Sequence, residues 1–309
     1  MRMSSARGTA FLSGIALVLL CACGSSSSAG SGSSPPSVDA TSAIPVVAST
    51  NVYGDIVEQI GGDKVSVLSI ISDPAQDPHS YEASTRNQLE LSRAKVVVEN
   101  GGGYDDFVGR MLHSAKNSSA AVINAVEVSG KKPGAELNEH VWYDVPTMAR
   151  LADRIADTLA KTAPGGAGTF QQNAKAFKEK LTLIQDKEAQ IRADHEGGAV
   201  VVTEPVPLYL IEASGLRNLT PADFSEAVEE GDEVSPRILR QTLGLLTDRQ
   251  VEALVYNEQT SSPQTEKVKQ AAEDNGIPVV PVTETLPQGE DYIGWMTANV
   301  EALKRALDE

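Results

Sequence analysis

From residue 169 to residue 194 the chain runs without a proline or glycine, and Phe170, Ala174, Phe177, Leu181, Ile184 and Ile191 return at helical spacing. Such spacing lines one stripe of an α-helix with apolar side chains. At ~1.5 Å per residue the segment would extend ~40 Å, long enough to lie along two lobes. The alternative is a coiled-coil dimer. The run is shorter than four heptads and carries Glu188, so packing within one chain is the expectation, with the protein a monomer.

Short β-branched runs flank this helix in two batches: 45–49, 65–71, 95–99 and 120–124 before it, and 199–203, 252–257 and 277–282 after it. Helical patterns separate them. Residues 88–93 follow a cap at Ser84. Residues 146–161 follow a cap at Asp144 and carry the stripe Met148, Leu151, Ile155 and Leu159. Strands alternating with helices predict parallel sheets. The expected fold is therefore α/β: two lobes, each with a mainly parallel sheet flanked by helices, joined by one long rigid helix.

The start of the chain predicts an address. Arg2 and Arg7 precede an apolar run from 10 to 20 and then Leu20-Cys21-Ala22-Cys23. That run is too short to span a bilayer and has the layout of a signal peptide. Leu, Ala and Cys in these places resemble a bacterial lipobox, which predicts cleavage before Cys23 and a lipid on that cysteine. Loss of Cys21 would leave no thiol pair for a disulfide. The next ~20 residues are mostly Gly, Ser and Pro, a flexible tether with a mean reach of ~25 Å.

The expected layout is a signal peptide at 1–22, an anchored linker at 23–43, an N-terminal lobe at 44–166, the connecting helix at 167–195 and a C-terminal lobe at 196–309. The formal charge is −16. It argues against nucleic acid or acidic lipid as a partner and suits attraction of cations.

The four histidines fall into two settings. His113, in a helical pattern, and His195, at the end of the long helix, read as surface or packing residues; the helix dipole accounts for His195. His79, in Asp77-Pro78-His79-Ser80-Tyr81-Glu82, and His140, in Glu139-His140-Val141-Trp142-Tyr143-Asp144, lie in loops before helix starts beside acidic residues. Parallel α/β folds bind ligands at such strand-to-helix junctions. A loop imidazole there can bind metal through one nitrogen and donate a hydrogen bond through the other.

These motifs, with Pro45-Val46-Val47-Ala48-Ser49-Thr50-Asn51, resemble the solute-binding proteins of bacterial zinc and manganese ABC importers. The match covers nearly all of the chain beyond the linker. Relatives often read Asp-Pro-His-hydrophobic-Trp where this chain has Glu139-His140-Val141-Trp142. In that family a third ligand, His or Glu, follows a C-lobe strand, with Tyr five residues on and Gly-Leu beyond. Glu204 takes that position ahead of Tyr209 and Gly215-Leu216. A fourth, Asp or Glu, follows the last strand, where Glu284 stands. The resemblance thus implies a metal site of His79, His140, Glu204 and Glu284. Pro205, Pro207 and Thr285-Leu286-Pro287 depart from the family pattern, and Glu258 is a rival to either carboxylate.

Two imidazoles with two carboxylates offset a divalent charge. Their oxygens favour manganese, with iron(II) also possible, whereas the Irving–Williams order favours zinc. Many zinc-importing relatives carry a histidine-rich loop that residues 122–138 lack. The implied role is capture of Mn2+ or Zn2+ outside the cytoplasm, at the cell membrane, for an ABC importer permease and its ATPase. The chain has no His-Glu-x-x-His, Gly-x-Ser-x-Gly or Gly-x-x-x-x-Gly-Lys stretch. It is therefore read as a binding protein and not an enzyme. A secreted metal-dependent hydrolase or a metal-linked surface adhesin is the alternative.

Overall fold

The computed structural model describes residues 43–73, 81, 84–132, 134 and 137–309. The expected signal peptide, Cys23, the linker up to residue 42 and His79 lie outside the described residues.

The first half runs β1 (Ile44–Thr50), α1 (Asn51–Gly61), β2 (Val65–Ile71), α2 (Thr85–Arg93) and β3 (Val96–Glu99). It continues with α3 (Asp106–Ser114), β4 (Ala121–Asn124), α4 (Ala125–Ser129) and α5 (Val145–Thr162). Then comes α6, Ala167–His195, an unbroken helix of 29 residues. The second half runs β5 (Ala199–Val202), α7 (Leu208–Ala213), β6 (Arg217–Asn218), α8 (Ala222–Glu229) and α9 (Pro236–Thr247). It closes with β7 (Ala253–Asn257), α10 (Pro263–Asp274), β8 (Val279–Val282) and α11 (Tyr292–Asp308).

The expected α/β architecture is present. One sheet is ordered β2-β1-β3-β4 and the other β6-β5-β7-β8, and every pairing is parallel. In each, the first strand of its half has neighbours on both sides, so the chain reverses its direction of travel across the sheet there. The strand β6 escaped sequence reading because it has only two residues, both exposed, and so shows no apolar run.

Strand alternation divides the core into layers. Val46, Ala48, Val96 and Val98 face the central core, while Val47 and Val97 face an outer cluster with Leu91, Phe107 and Met111. In the second sheet Val200, Val202, Ala253 and Val255 face the centre. Ala199, Val201, Leu254 and Tyr256 pack outward with Phe224 and Ile238. The α6 stripe, Phe170 through Ile191, belongs to the central cluster, which is continuous through both lobes. Each Phe, Leu or Ile of the stripe contributes about 1.5–3 kcal/mol on burial, so the brace is part of one shared core.

Helix starts follow the sequence with one exception. Ser84 caps α2 by accepting the Asn87 N–H at 3.1 Å. Asp144 stands at the N-cap of α5 but makes no side-chain cap; its carboxylate accepts the Thr147 hydroxyl instead. Asp144 also lies within 4.0 Å of Lys131 and Arg150, and those charges compete with the helix N–H groups.

Candidate metal-binding cleft

His140 follows α4 and immediately precedes a single helical turn, Val141–Tyr143. The Asn138 side-chain oxygen accepts both the His140 backbone N–H, at 3.0 Å, and the ring Nδ1, at 2.7 Å. Its amide nitrogen donates to the Pro205 carbonyl at 2.9 Å, which fixes which way the amide points. Because Oδ1 only accepts, Nδ1 carries the proton, and in the neutral ring the lone pair is on Nε2. The ring is fully buried and stands edge-on to Tyr104 and Trp142 at centroid distances of 5.9 and 5.0 Å.

Two carboxylates come from the other lobe. Glu204 follows β5 and Glu284 follows β8, and each is only 1 % exposed. The side-chain amide of Asn257, at the end of β7 between those strands, donates to Glu204 Oε2 at 2.5 Å and Glu284 Oε1 at 2.9 Å. Thr260 donates to the other oxygen of Glu204. Gln259 holds the Glu284 loop by accepting the N–H groups of Glu284 and Thr285. Glu284 Oε2 accepts from the Tyr104 hydroxyl at 3.3 Å and lies 4.0 Å from His140 Nε2. Burial, then the Glu284 charge, push the Tyr104 phenol well above its usual value, so it stays a donor.

His140, Glu204 and Glu284 therefore gather in one cleft. Glu258 does not join them: it is exposed, and the neighbouring Asn257 turns inward. His113 is exposed on α3, and His195 pairs with Asp308 at 3.0 Å.

The departures from the family pattern fall where the lobes meet. Pro207 is the N-cap of α7, and the Pro205 carbonyl accepts from Asn138. Tyr209 donates to the Asn138 carbonyl at 2.6 Å. Leu286 exchanges two hydrogen bonds with the Asn51 amide, at 2.8 and 3.0 Å. Tyr143 donates to Thr283 O and Tyr292 to Trp142 O.

Sequence reading missed three groups. One is Asn257, whose role depends on two partners far away in the chain. Another is Glu229, at the end of α8, whose Oε1 is 3.3 Å from His140 Nε2. Glu139, His140 and Glu229 bring ligand atoms within 4.8 Å of one another. The signal for Glu229 was the acidic run Glu229-Glu230-Gly231-Asp232-Glu233. The third is Glu188, which is buried on α6. It borders a cavity of about 360 Å³ with Tyr143, Asp144, Arg192 and Tyr209. Burial, reinforced by Asp144 and opposed by Arg192, pushes its carboxyl up to about 7.

Chemically, the cleft sets an imidazole lone pair against carboxylate oxygens. Buried carboxylates at such spacing repel one another and are costly to desolvate, so a small cation between them is favoured.

Two parallel-sheet lobes on a helical brace, with nitrogen and oxygen donors facing each other across the junction, define a two-lobed binding protein. The chain belongs to the ZnuA family, described as zinc-uptake complex component A, periplasmic, whose model matches residues 46–306.

Among curated relatives, the manganese ABC transporter substrate-binding lipoprotein scaA of Streptococcus gordonii is 26 % identical over 313 residues, 95 % of this chain and 96 % of scaA. The manganese-binding lipoprotein MntA of Bacillus subtilis is 29 % identical over 247 residues, 75 % and 76 % of the two chains. The same fold occurs in the zinc-binding protein TroA of Treponema pallidum, with TM-score 0.70 and 21 % identity over 85 % of this chain and 99 % of TroA. It occurs also in FpvC of Pseudomonas aeruginosa in complex with Mn2+, with TM-score 0.71 and 22 % identity over 86 % and 98 %.

Proposed function

We propose that this protein captures one divalent transition-metal ion, Mn2+ or Zn2+, between its lobes outside the cytoplasm and delivers it to an ABC importer. The permease and its ATPase do the translocation; among the described residues no helix is long and apolar enough to cross a membrane. Cys23 carries the lipid anchor, and residues 24–43 are the tether. His79, His140, Glu204 and Glu284 are the ligands.

The observation that carries this reading is the Asn138 clamp on His140. It assigns the proton to Nδ1 and leaves Nε2 aimed toward carboxylates of the other lobe. A metal-binding imidazole needs that tautomer, and an outer partner that fixes it strengthens the bond to metal.

Calorimetric titration of the purified protein with Mn2+ and Zn2+ tests the proposal. One ion should bind per chain and raise Tm, since a ligand held only by the native state stabilises it. In the variant His140→Ala, affinity should fall on the order of a thousandfold, the share of one ligand in a four-ligand site. Absence of binding tighter than millimolar in the unaltered protein would refute it.

A further inference from the structure

The rim side of His140 is built as carefully as the inner side. Phe224 and Val228 of α8 are buried in the outer C-lobe core. Glu229, the next residue, faces away from that core and has a side chain only 14 % exposed. The chain then turns sharply at Gly231, whose φ of +71° suits glycine. Asp232 N–H donates to Ala227 O at 2.8 Å. Two residues on, Val234 exchanges two 3.1 Å hydrogen bonds with the Gln264 amide. The Glu229 backbone is thus pinned on both sides, and its carboxylate is delivered to His140 from a fixed helix end.

We infer that Glu229 is a fifth metal donor, closing the cleft from the rim and biasing the site toward Mn2+ over Zn2+. The inference rests on the proposed metal-binding function. Glu229 Oε1 lies 3.3 Å and Glu284 Oε2 4.0 Å from the same nitrogen, Nε2 of His140. Glu229 therefore approaches the ring nitrogen that the Asn138 clamp leaves unprotonated in the neutral imidazole. Glu139 adds another carboxylate oxygen within 4.8 Å of the His140 and Glu229 ligand atoms. The rim is oxygen-rich on both lobes.

A fifth, anionic oxygen changes selectivity. Zinc sites closed by protein are almost always tetrahedral. Carboxylate oxygens in larger coordination shells suit manganese better than zinc. The ligands proposed above, His79, His140, Glu204 and Glu284, would make a four-donor shell. With Glu229 it exceeds the number zinc prefers and gains a hard donor.

The test compares the unaltered protein with Glu229→Gln and Glu229→Ala. Mn2+ and Zn2+ affinities are measured by competition against a chromophoric chelator, and visible absorption is recorded after loading with cobalt(II). The ratio of Mn2+ to Zn2+ affinity should shift toward zinc by tenfold or more in both variants. The cobalt band should intensify as the shell contracts toward four-coordination. An unchanged ratio and an unchanged band, whether or not both affinities fall together, would overturn the role of Glu229. If Glu139→Gln shifts the ratio and the Glu229 variants do not, the donor is Glu139 and the inference fails. Failure of the unaltered protein to bind either ion would instead refute the metal-binding function, which separates the two outcomes.

Discussion

The sheet β2-β1-β3-β4 and the sheet β6-β5-β7-β8 repeat one parallel topology, yet they bring different chemistry to the cleft and secure it differently. The N-terminal lobe supplies His140, oriented by Asn138 only two residues away. The C-terminal lobe supplies Glu204 and Glu284, oriented by Asn257, which lies 53 and 27 residues from them in sequence. The imidazole takes its orienting acceptor from two residues away, through an amide that Pro205 of the other lobe holds in place, whereas the carboxylate half exists only once three neighbouring strands have assembled. Like charges explain the difference. One imidazole needs a single acceptor, but two buried carboxylates need a shared donor in the folded state.

The sharpest way to break this comparison is to remove each organiser in turn. Asn257→Leu should cost about 3 kcal/mol of stability in metal-free protein, because buried carboxylates lose hydrogen bonds. It should also weaken metal binding on the order of a hundredfold. Chemical denaturation and metal titration together check both. Asn138→Ala should weaken binding by about 10–100-fold while costing only about 1 kcal/mol of metal-free stability. Equal stability losses from the two variants would show that the halves are not built differently.

The brace belongs to both lobes, so Glu188 sharpens the comparison from the middle. With its carboxyl raised to about 7, the folded protein binds this proton more tightly than the unfolded chain. That stabilisation is fully present below the ordinary carboxylate range and is lost as pH rises through about 7. Glu188→Gln, which keeps a neutral side chain at every pH, should therefore gain about 2 kcal/mol on the unaltered protein between pH 5 and pH 8. Parallel stability profiles for the two proteins would contradict this.

The smallest effect lies far from the cleft. Ser262 caps α10 in a reciprocal box with Thr265, and Ser262→Ala should cost about 1 kcal/mol in thermal unfolding. Metal affinity should not move. If it falls, the C-terminal lobe transmits strain to its carboxylates more freely than the layered core implies.

What the sequence disclosed follows the same division. The brace was legible because Phe170 through Ile191 form a periodic stripe, and the longer strands because β-branched runs mark them. His140 was legible because its motif is contiguous. Glu204 and Glu284 needed the family resemblance, since a glutamate after a strand looks alike whether it is buried or solvated. Asn257 and Glu229 gave no sufficient local sign: their meaning lies in distances of 2.5 to 3.3 Å to residues elsewhere in the chain. Glu258 shows the converse: it lies one residue past the end of β7, where a strand buried along its whole length gives way to an exposed bend.

The central claim is that the two differently built halves meet around one metal ion. Anomalous diffraction from crystals grown with Mn2+, collected on either side of the manganese absorption edge, tests it directly. The account predicts a single strong peak within coordinating distance of His140 Nε2 and of carboxylate oxygens from Glu204 and Glu284. A peak elsewhere on the molecule, or none in crystals that contain the ion, would contradict it.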